Sequence, residues 1–429
     1  MKYNYIKINS FLISFLPIAL IFSIFIADLI VSFTSILFLV FIFFKKKFFV
    51  FKYTAFKFFL IFYSILIISS FFSDYSSYSF LKTLPYIRFG LFLLLIGYLL
   101  DNDENFINIF LKSILISFGI LFFGLVLQLF EVEFIYKFVN GSRYSSFFFD
   151  ELIMGSYLVK ILPLALSILL YKKKINISLI IIFVTSLCII LSGERAAVFS
   201  LCFILSFMFF FSNFISLKKK LISAVVILLL ITSALFFLPK VKYRIIDQTA
   251  YQLSLIEPKS DYIETKVEDT IVAFAREEYF IPLKYYLMMK SALKIFKDNI
   301  FFGSGVKTFR ILCKDQRYYT KKNYKAFKDK ADDFYPGYTG IDNCSTHPHN
   351  YYIQLLSETG IFSFLIVLSI FIFTFYKFFK EEENYLKILY LSLAINLFPF
   401  YFTGNFFNNY ISILLFLNIC FLNLERKHK

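Results

Sequence analysis

Long apolar runs separated by short polar breaks dominate the chain. Twelve can be counted, over residues 11–26, 29–44, 56–72, 84–100, 106–130, 152–171, 175–191, 196–217, 221–238, 351–376, 386–402 and 406–424. A hydrocarbon core about 30 Å thick takes about 20 residues of helix to cross, so each run reads as a membrane span. The expected fold class is an all-α polytopic integral membrane protein with about twelve transmembrane helices. The first two runs are short and meet around Asp28, which predicts a helical hairpin there. No small-residue cleavage site follows the first run, so it reads as a span and not as a removable signal.

Between the ninth and tenth runs the pattern stops. Residues 239–350 hold no run long enough to span, and Lys, Asp, Glu and Tyr replace Phe and Ile. The chain therefore divides into helices 1–9 over residues 1–238, one large loop over 239–350, and helices 10–12 with a tail over 351–429. Within the loop, residues 283–296 (LKYYLMMKSALKIF) place apolar side chains at helical spacing with lysines between them. This predicts an amphipathic helix, lying either on the membrane surface or packed within the loop.

Composition agrees with the pattern. Apolar residues make up 59% of the chain and charged ones 17%, too few to coat a soluble domain of 429 residues. The net charge of +16 does not point to nucleic acid, because the basic residues lie between spans and form no patch. Much of the Phe, Ile, Lys, Tyr and Asn abundance, with no Trp, is what an AT-rich genome imposes. Lys45–Lys47, Lys172–Lys174, Lys218–Lys220 and the tail from Arg426 fall on one side if twelve spans are counted. By the positive-inside rule that side is the cytoplasm, with both termini there and the large loop outside.

Against a lysine-rich background the rare residues become informative. Only eight of the 45 basic residues are arginine, and only three residues are histidine. Arg143, Arg195, Arg244, Arg276, Arg310 and Arg317 fall on the external side, and Arg88 near the external end of its span. A guanidinium fork grips phosphate with two parallel hydrogen bonds, so this sidedness suits an anion at headgroup depth. Arg195, in the short turn Leu191-Ser192-Gly193-Glu194-Arg195, is the leading candidate; pairing with Glu194 at the interface is the plainer alternative. Arg276 has the same plain alternative in Glu277 or Glu278.

His349 ends the loop in Ser-Thr-His-Pro-His-Asn-Tyr-Tyr-Ile-Gln-Leu-Leu-Ser-Glu-Thr-Gly. An imidazole there can serve as a general base. Its supporting candidates in the same segment are His347, Asn350 and Glu358. A metal site would have only His347, His349 and Asp342 to draw on, a partial ligand set, so none is expected. Lys160 lies deep in its span and should face a bundle interior, with Asp150 and Glu151 as possible partners. Cys188, Cys202 and Cys420 lie within spans as packing residues. Cys313 and Cys344 are the only cysteines in the loop and can form a disulfide if the compartment is oxidising.

These residues resemble the bacterial O-antigen ligase and polymerase superfamily of polytopic glycosyltransferases. His349-Asn350, followed by nine residues and Gly360, is similar to its His-Asn signature, although Ser363 stands where that pattern has Gly, Thr or Tyr. Residues 191–196 resemble its short periplasmic turn with an essential Arg, and Gly303-Ser304-Gly305 its Gly-x-Gly stretch late in the loop. Arg276 lies where the family has a second Arg, with Arg244 and Arg310 as nearby alternatives. Arg143 to Pro163 also has the family's look, and the likeness spans roughly residues 140–405. The resemblance implies a C-type glycosyltransferase fold working at the periplasmic face of the bacterial inner membrane. Its donor is a glycan on undecaprenyl diphosphate and its acceptor a lipid A–core sugar or another lipid-linked glycan. His349 is then the base, Arg195, Arg276 and Arg143 hold the diphosphate, and no metal, nucleotide or other cofactor takes part. A polymerase, a protein O-oligosaccharyltransferase and, from another class, a secondary transporter are the competing readings. The transporter predicts an internal repeat that the chain does not show.

Overall fold

The computed structural model describes residues 2–139, 143–213, 215–252, 283–318, 344–400 and 403–425. A helix lies in each of the twelve apolar runs. The first ten helices are α1 (Lys2–Phe22), α2 (Ile24–Phe44), α3 (Thr54–Phe71), α4 (Ser76–Thr83), α5 (Ile87–Asn102), α6 (Phe106–Leu129), α7 (Met154–Tyr171), α8 (Ile175–Leu191), α9 (Arg195–Phe211) and α10 (Leu217–Phe237). Then come α11 (Leu283–Asp298), α12 (Tyr351–Lys380), α13 (Asn384–Asn396) and α14 (Asn409–Phe421), with short turns of helix between. Eight helical stretches among the described residues are long and apolar enough to cross a membrane, α4 and α5 forming one of them. Helices α8, α9 and α14 are apolar but shorter. The protein is a polytopic all-helical membrane protein.

The hairpin of α1 and α2 forms, but its joint is Ser23 and not Asp28. Ser23 is extended and its hydroxyl accepts from Ile26 N, which restarts the helix after a one-residue break. The Tyr5 and Phe41 rings stack at 4.4 Å, so the far ends of the two helices lie side by side. Asp28 sits one turn into α2, where it pairs with Arg88 of α5 at 2.9 Å and accepts from Asn409 of α14. A charge in a span is tolerated when it is paired, and this trio ties three helices at one end of the bundle.

Helix α7 is the centre. It packs on α6, α8, α9, α13 and α14, and its side chains from Tyr157 to Leu169 are buried all round. The outlying helix is α10, whose apolar surface is almost entirely exposed to where lipid would lie. Cys188 and Cys420 are buried as packing residues, whereas Cys202 is exposed on the outer face of α9.

Helix α11 forms with its apolar face inward. Met288, Ala292 and Ile295 close a small core with Phe309, Leu312 and Tyr318, and the helix rests on α12. Packing within the loop, the second of the two expected arrangements, is what the structure has.

Candidate functional site

The lysine clusters and the rare residues occupy opposite ends of the bundle. Helices α2 and α7 begin at Ile24 and Met154 and end next to Lys45 and Lys172. Helix α9 begins at Arg195 and ends beside Lys220, whose ammonium donates to the Phe209 carbonyl at 2.7 Å. At the starting ends lies a cavity of about 420 Å³, lined by Ile153 and Ser156 of α7, Ala196 and Ala197 of α9, and Tyr410 and Ile411 of α14. Three helix N-termini therefore border one space. Each brings the positive end of a macrodipole, which favours an anion, although α7 is already capped by Glu194 and α14 by Asn408.

Glu194 determines how that wall is built. Its carboxylate accepts from Gly155 N at 2.7 Å, Ser156 N at 3.1 Å and Ser156 Oγ at 2.5 Å, so it caps α7 from the neighbouring turn. Burial pushes its carboxyl above the ordinary glutamate range, while Ser156, Arg143 and the two amides pull it down. Gly155 has no side chain because Ser192 Oγ would lie 2.4 Å from its Cβ. Arg143 donates to the Leu152 carbonyl at 2.6 Å, and burial works against its charge while Glu194 supports it.

Lys160 is buried and points at the same space. Its ammonium bonds to the Tyr351 hydroxyl at 3.2 Å, not to Asp150 or Glu151 as expected, although Glu151 does line the cavity. The cause is simple: Glu151 lies ahead of α7, whereas Lys160 is six residues into it, deeper in the bundle.

The opposite wall is loop. Lys307, Arg310, Thr346 and His347 line it, with Thr403 and Asn405 from the segment before α14. The loop is held against α12 by backbone pairing: Gly305 N donates to the Glu358 carbonyl at 2.8 Å, Ser304 N to Ser357 at 3.0 Å, and Ile361 N to Ile300 at 2.9 Å. This contact needs two glycines. Gly360 interrupts α12 with φ 75°, and a Cβ there would sit 2.1 Å from the Phe301 carbonyl oxygen. A Cβ on Gly303 would meet Thr359 N at 2.3 Å. The two glycine motifs read in the sequence are thus two halves of one contact. Serines of α3 and α4 complete it: Ser69 donates to the Glu358 carbonyl and Ser79 accepts from Val306 N.

Glu358, fully buried, is structural. It accepts from Phe309 N at 3.2 Å and from Gln354 Nε2 at 2.9 Å. Asn350 likewise caps α12, accepting from Tyr352 N and Ile353 N while donating to the Pro399 carbonyl at 2.8 Å. The disulfide Cys313–Cys344, with Cα atoms 5.2 Å apart, ties the loop wall to the strand of residues leading to the histidines.

Of the two imidazoles, His347 lines the cavity and His349 stands behind it. Their rings are 4.1 Å apart, and the His349 ring also lies 4.9 Å from that of Tyr285 in α11. His349 has φ 58°, a left-handed conformation that a histidine keeps only where its surroundings impose it. Thr403 N donates to its carbonyl at 2.9 Å. Burial, then His349 and Arg310, push His347 down to about 3, so its imidazole is neutral at neutral pH. Thr346 Oγ1 and His347 Nδ1 are hydrogen-bonded at 2.9 Å.

The structure thus brings together Lys160, the Arg195 turn, His347, His349 and Asn350. Arg276 lies outside the described residues. Lys307 went unnoticed in the sequence and Arg310 stood there only as an alternative to Arg276; their spacing from Gly305 was the available signal. Among the described residues no three ligand-type side chains gather as a metal site.

Among curated proteins none matches the chain. Residues 179–368 match the family model described as O-antigen ligase, a segment that runs from α8 through the Arg195 turn, the glycine-bearing loop and His349 to past Gly360. Over that segment this multi-pass membrane protein is similar to the O-antigen ligase family.

Proposed function

We propose that the protein transfers a glycan from undecaprenyl diphosphate to a sugar hydroxyl of lipid A–core, at the periplasmic face, with inversion and without a metal. The observation that carries this reading is the cavity where three helix N-termini and Lys160 face a loop wall bearing Lys307, Arg310 and the histidine pair. A cavity charged in this way suits the diphosphate, and the macrodipoles stabilise it further as it leaves. In this reading Arg195, Arg143 and Arg276 are assigned to the same anion.

In this reading His349 is the base. The acceptor hydroxyl attacks the anomeric carbon, its proton passes to the His349 imidazole, and the bond from that carbon to the diphosphate oxygen breaks. Undecaprenyl diphosphate departs with the electron pair. A polymerase would use the same donor site and a lipid-linked glycan as acceptor.

The test is gel and mass analysis of lipopolysaccharide from a strain deleted for the gene. Bare core with accumulated lipid-linked polymer is expected. Core carrying a single repeat would move the assignment to polymerase, and an unchanged glycolipid profile would overturn both. Complementation with His349→Ala should fail with the protein still in the membrane, since a lost general base costs about 10²–10⁴-fold in rate.

A further inference from the structure

From the loop wall we infer that Lys307 and Arg310 form a second anion grip on the cavity, built to hold a diphosphate from the side opposite Arg195. Among the described residues the Lys307 ammonium has no hydrogen bond or ion pair, and Arg310 has one long contact, from Nη2 to the Thr346 carbonyl at 3.5 Å. Arg310 Nε is buried without a partner among the described residues. Two further cavity-lining donors are in the same condition, the hydroxyls of Thr403 and Tyr410, whose side chains are 9% and 6% exposed. Buried donors without acceptors are costly, and several around one cavity point to a partner in the space they face. Three such donors and an unpaired ammonium around one cavity call for a ligand rich in anionic oxygens.

The backbone shows that the grip is built and not incidental. Lys307 has φ 61°, a conformation that strains a non-glycine residue. The surrounding contacts impose it. On one side Val306 N is held by Ser79 Oγ at 2.8 Å, and on the other Phe309 N is held by the buried Glu358 carboxylate at 3.2 Å. The turn so formed sends Lys307 and Arg310 to one face, toward the N-terminal turns of α9 and α14. Lys160 adds a third cation from α7, and among the described residues Glu151 is the only acidic one on the lining. An anion of more than one charge matches that balance. The assignment of the anion as the donor's diphosphate rests on the glycosyl-transfer reading; the site itself does not.

Purified full-length protein in detergent would be titrated with inorganic pyrophosphate by calorimetry. Binding should weaken at least tenfold in Lys307→Gly and in Arg310→Gln. The glycine variant is chosen because φ 61° suits it, so the ammonium is removed without burdening the turn. Lys307→Arg should bind within about threefold of the unchanged protein, because charge and reach are kept. Affinities within twofold of the parent in both deleting variants would overturn the inference. Equal competition by phosphatidylglycerol micelles would also overturn it, marking a bilayer headgroup site. If pyrophosphate binding depends on Lys307 while lipopolysaccharide is unchanged in the deletion strain, the grip stands and the glycosyl-transfer reading falls.

Discussion

The two walls of the cavity are held in different ways. The helical wall, α7, α9 and α14, is fixed by side chains packing in an apolar surround: 83% of the α7 span is buried, against 6% for the outlying α10. Its polar needs are few and met locally, chiefly by Glu194 capping α7. The loop wall has little apolar core, only the small cluster under α11. It is fixed instead by backbone hydrogen bonds across the Gly303–Gly360 contact, by serines of α3 and α4, and by one disulfide. Non-helical backbone at membrane depth is tolerated only where each polar group finds a partner. The side chains requiring accurate placement, the cations Lys307 and Arg310 and the neutral His347, sit on the wall held by directional bonds, while the helical wall supplies dipoles that packing alone can aim.

That contrast can be broken in graded steps. The largest effect belongs to Gly360→Ala, which places a Cβ against the Phe301 carbonyl and forces alanine into φ 75°. A loss of about 4 kcal/mol or more is expected from clash and strain together, read as a collapse of the thermal transition in detergent. A normal melting curve would show that the loop is not docked this way. Next comes opening of the Cys313–Cys344 bond, which spans 31 residues, by a double Ser substitution. It should cost about 2–4 kcal/mol and expose the loop wall to proteolysis while the helical wall stays protected. Uniform protection in the double variant would contradict the division into two walls.

Glu194→Gln acts on the other wall and should do less. The amide still accepts a bond but loses the charge, at about 1–2 kcal/mol, and α7 remains buried on every side. A loss as large as that of Gly360→Ala would mean that the helical wall too depends on its polar contacts. The smallest effect is on pH. Burial, then Arg310, with Lys82 and Arg88 adding, push Lys307 down to about 8, and Glu358 opposes them. A depressed lysine loses its proton as pH rises through that value, so pyrophosphate binding should be flat below pH 8 and fall severalfold above it. Lys307→Arg should flatten the alkaline limb; an unchanged limb would assign it to another group.

Why one wall was legible in the sequence and the other was not follows from the same physics. Spans announce themselves through hydropathy, and the sidedness of Arg195 and His349 followed from counting them. The joint at Ser23 was missed because both flanks are equally apolar and one extended residue leaves no trace in hydropathy. His349-Asn350, Gly303 and Gly360 were visible as a pattern, but not that Gly303 and Gly360 touch, since the contact crosses more than fifty residues of chain. Lys160 was found as a buried charge, yet its partner Tyr351 could not be, because tyrosine marks nothing in so aromatic a chain. Lys307 was lost among many lysines for the same reason, and only its left-handed backbone and its place on the cavity distinguish it.

The central claim is that a lipid-linked diphosphate donor is spent at this cavity with His349 as base. The most direct measurement is the release of free undecaprenyl diphosphate from a glycan-loaded donor by the purified protein in proteoliposomes with a lipid A–core acceptor. The account predicts acceptor-dependent release that His349→Ala abolishes and Lys307→Gly slows. Release that continues undiminished in His349→Ala would contradict it.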